Sequence, residues 1–405
     1  MRTNNSQDDR LKNLIARRQP DHSLPQAFYR DEAVFAADMN QVFGKCWLFA
    51  GHASQISQPG EYFIYEIGDE SLIVLRGDDG EIRAFFNVCR HRGSRLCTAP
   101  SGRVKKLVCP YHQWVYGHDG ALTVARGMGD DFQFSEYSLR RAHVRDLEGL
   151  LFVCLADEPP SFEDALQAIA PQLRPHGLRR AKICCTREYQ VRANWKLIFE
   201  NNRECYHCPV GHPEYCRANY AEDFSHHEER RQAHETFTAE QEARWRALGI
   251  STEFVDFKAD TWFLCGRVPL RKGFVSKSLD GNPVAPVMGD LPERDLGVFT
   301  LVTFPNSWLQ ASSDYLMTTR LTPLSSTLTA VRVDWLVRED AIEGRDYEVE
   351  NVIALWAATS SQDWKLCEDN QAGVLSRRYE PGPYSPTQER GVETFVRWYL
   401  RQLEK

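Results

Sequence analysis

A chain of 405 residues exceeds what one ordinary core organises, so two domains or one large composite are expected. With 42% hydrophobic and 26% charged residues it is globular, and a net charge of -7 without a long Lys/Arg run excludes a nucleic-acid partner held by a concentrated basic surface. No window approaches the roughly 20 apolar residues of a membrane span. The N-terminal stretch, with its Asp8-Asp9 pair, resembles neither a signal peptide nor a transit segment, so a cytoplasmic enzyme is expected. Twelve cysteines without a secretory signal then predict reduced thiols or metal ligands rather than a disulfide framework.

In chain order, residues 1–44 read as a polar arm and a short helix, "YRDEAVFAADMNQVFGKCW" having apolar residues at helical spacing. Residues 45–160 break into short alternating runs, among them "EYFIYEIG", "SLIVLRGDDGEIRAFFNV", "KLVCPYHQWVYGHDGAL" and "GLLFVCLAD", with Asp-Gly turns inside two of them. That texture predicts an antiparallel β domain. The Pro- and acid-rich "ADEPPSFEDA" is the joint to residues 161–405, where strand-like and helical segments mix without βαβ rhythm. The fold class is therefore α+β, the second domain having a central antiparallel sheet flanked by helices.

Within the β domain, Cys89-x-His91 is followed after seventeen residues by Cys109-x-x-His112. Zinc accepts the same four ligand types, but its usual spacing pairs cysteine with cysteine and histidine with histidine. One thiolate and one imidazole from each of two loops suit a two-iron, two-sulfide cluster. Thiolates stabilise ferric iron on one side, and neutral imidazoles on the other raise the potential. This segment, with Gly93 and the Pro110-Tyr111 turn, resembles a Rieske iron–sulfur domain. Cys97, between the two loops, is expected to be a packing thiol. An electron carrier would need nothing further, yet about 240 residues follow.

Those residues contain "ENNRECYHCPVGH", 200–212. One reading is a zinc site of Cys205, Cys208, His207 and His212. The other places Glu200, Glu204 and His207 on one helical face at i, i+4 and i+7, with Pro209 and Gly211 ending the helix and His212 returning from the turn. Two histidines with a distant carboxylate make the facial triad of non-haem Fe(II) oxygenases, which keeps positions open for O₂ and substrate. The stretch "ANWKLIFENNRECYHCPVGHPEY" resembles the catalytic signature of the Rieske non-haem iron oxygenases, an acidic residue, two residues, His, four residues, His. The match implies His207 and His212 as iron ligands, Glu204 as the electron bridge between metal centres, and the two cysteines as bystanders. Asn202 stands where that family more often has an aromatic residue. The late helix offers Asp363, Glu368 and Asp369 as third ligand. At ~100° per residue Asp363 falls on the apolar face with Val352, Leu355 and Trp356, whereas the other two point away. Asp363 also fits the third-ligand helix of the family.

The resemblance implies Fe(II) beside the [2Fe-2S] cluster, electrons from NAD(P)H through a separate flavin/iron–sulfur reductase, and a homotrimer in which His112 of one subunit serves Glu204 and His207 of the next. The segments "ENNRECYHCPVGHPEYCRANY" and "GVLSRRYEPGPYSPTQERGVETFVRWYL" resemble the branch that oxidises quaternary ammonium compounds, including the N-demethylases of glycine betaine and proline betaine. Such cations carry no N–H donor, so an aromatic cage is the physical way to hold them. Trp262, Phe263, Trp308 and Tyr315 are the candidates in strand-like segments, and an ordinary core role is the competing expectation for each. The rival readings are an aromatic-ring dioxygenase α-subunit, which shares both motifs, and a carrier with an inactive iron site.

Overall fold

The computed structural model describes residues 2–221, 227–256 and 261–405. The chain divides into two compact units, one spanning Gly44–Phe162 and one joining Met1–Phe43 to Glu163–Lys405. Among the described residues no helix is long and apolar enough to cross a membrane.

The Gly44–Phe162 unit is built from hairpins. Glu61–Ile67 and Glu70–Arg76 pair antiparallel around a two-residue Gly68-Asp69 turn, with Gly68 at φ 58° as such tight turns require. Seven strands lie in the spatial order Leu48–His52, Leu150–Cys154, Arg141–Leu147, Ile82–Phe86, Glu70–Arg76, Glu61–Ile67 and Ser101–Arg103. A second sheet of Leu107–Val108, Val115–Tyr116 and Leu122–Val124 holds residues 109–114 as the loop between its first two strands. Phe85, Trp114, Tyr116 and Leu107 form a core that also includes Cys89 and Cys109. The two cysteine loops are thus rooted in packed β structure.

The expected polar arm is helical over Arg2–Ala16. The segment after it forms short turns, Ala27–Arg30, Glu32–Ala37 and the π-helical Asp38–Phe43. In the same unit six antiparallel strands run in the order Ala181–Val191, Leu328–Arg338, Leu316–Ser325, Ser307–Ala311, Val298–Thr303 and Phe263–Val268. Helix Trp195–Asn202 packs on both this sheet and helix Arg390–Leu403, since the Phe199 ring stacks on Phe395 at 4.7 Å and meets Trp308 of the sheet edge-on at 6.0 Å. The 26-residue helix Val349–Val374 carries Asp363.

One polar knot fixes how these pieces meet. The fully buried Asp38 accepts hydrogen bonds from Lys196 Nζ, from Trp195 Nε1 at 3.0 Å and from the Tyr399 hydroxyl at 2.5 Å. Asp38→Ala would strand the Lys196 ammonium, and a buried charge without its partner costs about 3–5 kcal/mol. A thermal melt should show that loss, and an unchanged midpoint would contradict it.

Candidate metal centres

The first cysteine loop folds around Cys89, whose N–H donates to Ser94 O at 2.8 Å and whose carbonyl accepts from Gly93 at 3.0 Å. Gly93 holds φ at 77°, which a side chain would strain. In the second loop the Cys109 N–H donates to Trp114 O at 2.8 Å, and the carbonyl accepts from Gln113 at 3.0 Å. Cys89 and Cys109 are buried, while His91 and His112 are exposed with ring centroids 4.6 Å apart. Burial pushes the Cys89 thiol up. Cys109 is buried too, yet N–H groups of His112 and Tyr111 hold its thiol below the usual value. Two sulfurs inside and two imidazoles at the surface fit a cluster that takes its electrons from outside and passes them on through an imidazole. Cys97 is buried, and its carbonyl accepts from Asn87 Nδ2 at 2.7 Å, a packing position.

The Tyr116 hydroxyl lies 3.3 Å from Cys89 Sγ. With the sulfur ligated as a thiolate, that hydroxyl is the donor, and it favours the reduced cluster. Tyr116→Phe is expected to lower the one-electron potential by about 60 mV, the equivalent of a ~1.4 kcal/mol hydrogen bond. A redox titration followed by visible absorption checks this.

In the second unit the helix beginning at Trp195 stops at Asn202. The expectation that Glu200, Glu204 and His207 share one helical face is therefore corrected. Consecutive Asn201 and Asn202 favour a helix end, and Pro209 disfavours helix at the residue before it. Glu200 points away from the histidines to Tyr29, whose hydroxyl donates to it at 3.0 Å, and burial pushes its carboxyl up to about 8. Residues 203–207 form an irregular turn, and Cys208–Gly211 adds one short helical turn before His212. The expectation of reduced thiols or metal ligands also fails at one place, because Cys205 and Cys208 are joined as a disulfide. The Cys208 sulfur does lie within 4.8 Å of donor atoms of His207 and His212. Bonded to Cys205, it offers no thiolate, so a zinc site of that composition has no sulfur ligands.

Three other donors converge. His207 Nε2 and His212 Nε2 are 3.1 Å apart, and Asp363 Oδ1 lies 3.2 Å from the first and 2.8 Å from the second. Three ligands on one face of an octahedron with bonds of about 2.1 Å stand about 3.0 Å apart, so the triangle has the size of a facial metal site. Burial alone would lower His207, but Asp363 and Glu204 outweigh it and lift the ring to about 9. Asp363 is held below the usual carboxylate range by the two imidazoles despite its burial. Such mutual stabilisation around a shared proton marks a donor set that a divalent cation can take over.

Each imidazole also has its far nitrogen anchored. His207 Nδ1 meets Glu204 Oε1 at 2.5 Å, and His212 Nδ1 meets Gln362 Oε1 at 2.8 Å. Both rings are thereby set with Nε2 toward the centre. Gln362 has no signal in the sequence beyond its adjacency to Asp363.

A cavity of about 190 Å³ adjoins the triad, walled by Trp308, Tyr215, Trp356, Gln310, Asn201 and Val302 among others. Of the four aromatics expected to line it, Trp308 does. Phe263 is instead buried in its strand against Thr303, and Tyr315 is buried with its hydroxyl donating to Lys277 O at 2.5 Å. Trp262 sits beside Phe263, its carbonyl accepting from Phe304 N–H at 2.7 Å. Tyr215 and Trp356 are the rings found at the wall, and their spacing does announce them. Tyr215 follows His212 by three residues, and Trp356 precedes Asp363 by seven on one helix. On the other side of Glu204 and His207 lies a second cavity of about 390 Å³, walled by Tyr29, Glu200, Tyr379 and Tyr384.

Comparisons with known proteins identify both domains. Residues 46–135 match the Rieske [2Fe-2S] domain family, and residues 178–405 match the ring hydroxylating alpha subunit (catalytic domain) family. The chain is 42% identical to the glycine betaine monooxygenase oxygenase subunit of Chromohalobacter salexigens, over 96% of this chain and 88% of that one. It is 39% identical to the protein of the same name from Pseudomonas aeruginosa, over 96% and 91%. The crystal structure of the quaternary ammonium Rieske monooxygenase CntA with L-carnitine shares the fold, with a TM-score of 0.70 at 22% identity over 96% of this chain and 98% of the other. The chain belongs to the Rieske non-haem iron oxygenase α-subunits, oxidoreductases that carry a Rieske cluster and a mononuclear iron and receive electrons from a reductase.

Proposed function

We propose that this oxygenase removes an N-methyl group from a small betaine, glycine betaine or proline betaine. His207, His212 and Asp363 would hold Fe(II), and Cys89, His91, Cys109 and His112 the [2Fe-2S] cluster. When bound, the two centres supply stepwise electron delivery and activation of O₂. The reaction consumes one O₂, two electrons and two protons, hydroxylates one methyl carbon with release of one water, and leaves a carbinolamine that breaks its C–N bond to give a tertiary amine, formaldehyde and a proton. The observation that carries this reading is the Nε2, Nε2, Oδ1 triangle opening onto a cavity walled by Trp308, Tyr215 and Trp356. Aromatic faces stabilise a cation that cannot donate a hydrogen bond.

Glu204 supports the electron path. One carboxylate oxygen meets His207 Nδ1, and the side chain stands in the wall shared with the second cavity. A histidine brought there by a neighbouring subunit, His112 in a ring of three, would meet a carboxylate already aligned with the iron-side ring. Electrons would come from NAD(P)H through a flavin/iron–sulfur reductase.

The test is substrate-dependent O₂ uptake with formaldehyde detection on a panel of betaines, reductase supplied. Formaldehyde is expected with glycine betaine or proline betaine. Formation of a cis-diol from an aromatic hydrocarbon, with no formaldehyde from any betaine, would replace this reading by the ring-dioxygenase one. Cluster reduction without O₂ consumption on any substrate would reduce the chain to a carrier.

A further inference from the structure

Lys277 is 2% exposed, and among the described residues no carboxylate comes within salt-bridge reach of its Nζ. A buried ammonium without a counter-ion costs several kcal/mol of desolvation. Burial accordingly pulls its pKa down to about 7. The partners it does have are Gln310 Oε1, which accepts from Nζ, and the rings of Tyr215 at 4.8 Å and Trp356 at 4.9 Å. All three partners belong to the wall of the cavity beside His207, His212 and Asp363. An amine whose charged form lacks a counter-ion is therefore placed one side chain behind the substrate wall, and a carboxylate bound there would favour the ammonium. Arg203, another cation at that wall, has the Asp256 carboxylate to offset it, and among the described residues Lys277 has no such neighbour.

The ammonium also fixes Gln310. In its ammonium form the lysine has only donors, so the amide turns its oxygen to Nζ and leaves Nε2 on the other side. Nε2 makes no hydrogen bond among the described residues, and the side chain borders the cavity. The wall thus presents amide N–H donors backed by a cation, an arrangement matched by a carboxylate.

We propose that Lys277, acting through Gln310, forms the carboxylate-recognising end of the substrate site and selects zwitterionic betaines over quaternary ammonium alcohols. The inference rests on the proposed N-demethylase reading. It orients the substrate, because Lys277 lies over the Tyr215 and Trp356 rings, which makes Trp308 the principal member of the three-ring wall for the trimethylammonium group. A zwitterion brings the missing negative charge. Choline brings a second positive charge to an uncompensated first one and is disfavoured. Lys277 is a positioning residue, so its removal should act on KM more than on kcat.

The experiment measures formaldehyde release from glycine betaine and from choline by the holoenzyme with reductase, for the wild type, Lys277→Met and Gln310→Glu. Metal content and the visible spectrum of the cluster serve as folding controls. Lys277→Met is expected to raise KM for glycine betaine about 10- to 100-fold, the worth of a hydrogen bond to a charged group, and to shrink the betaine-to-choline ratio of kcat/KM by a similar factor. Gln310→Glu supplies Lys277 with an internal carboxylate, so the ratio should invert toward choline even if the Lys277 variant fails to fold. An equal shift for both substrates, or a loss confined to kcat, overturns the inference while leaving the demethylase reading intact. Failure of the wild type to release formaldehyde from any betaine overturns that reading and this inference with it.

Discussion

Asp363→Ala is expected to abolish turnover while leaving the Rieske cluster in place. The aspartate supplies the only carboxylate oxygen of the triangle, 2.8 and 3.2 Å from the two imidazole nitrogens. Without it two neutral imidazoles remain, and they hold a divalent cation less tightly than a set with an anionic member. Loss of metal-assisted activation should lower kcat/KM by about a thousandfold or more, roughly 4 kcal/mol at 1.36 kcal/mol per tenfold. Mononuclear iron content should fall with it, while the visible absorption of the cluster persists. Retention of both iron and activity would mean that the third ligand lies elsewhere.

Glu204→Gln should separate metal binding from electron delivery. The amide oxygen of glutamine can still accept from His207 Nδ1, so the ring keeps its orientation and the iron stays. The second carboxylate oxygen, which accepts from the Tyr206 N–H, becomes an NH₂ donor that can accept neither that bond nor one from another imidazole. Reductase-coupled turnover is expected to drop by about 100-fold, the upper range for residues that orient metal ligands. Chemically reduced enzyme supplied with peroxide, which bypasses the relay, should keep most of its single-turnover yield. Near-normal coupled activity would remove Glu204 from the electron path.

Much of the site is legible in the sequence because metal ligation restricts residue type and spacing together. The Cys-x-His and Cys-x-x-His pairs fall in two short loops of one β unit. His207 and His212 are five residues apart, and Asp363 falls out of helical periodicity 151 residues after His212. What the pattern misjudges is the backbone between the histidines. The sequence predicts a helical face through His207, but the helix ends at Asn202 with Arg203 as its C-cap, and Pro209 restricts the residue before it. Glu204 still reaches His207, through a turn instead of an i+3 helical contact.

The cavity is less legible, for a physical reason. Aromatic residues in strands alternate between core and site, and only tertiary packing decides which ring meets the cavity. Trp308 and Phe263 occupy strands of one sheet, yet Trp308 alone reaches the wall. Lys277, in the loop-like "RKGFVSKSLDG", reads as an ordinary exposed lysine. Its burial depends on Tyr215, Gln310 and Trp356 arriving from three separate segments. The Cys205–Cys208 spacing is visible in the sequence, whereas the joining of the two sulfurs appears only in the folded turn.

The central claim, that the His207, His212 and Asp363 centre oxidises an N-methyl group, is tested most directly by stoichiometry. O₂, NAD(P)H, formaldehyde and tertiary amine are measured together in one reductase-coupled reaction with glycine betaine and proline betaine. One formaldehyde and one tertiary amine per O₂ and per two electrons is the expected result for at least one of the two. Oxygen consumption indifferent to either betaine, with neither formaldehyde nor tertiary amine produced, would contradict it.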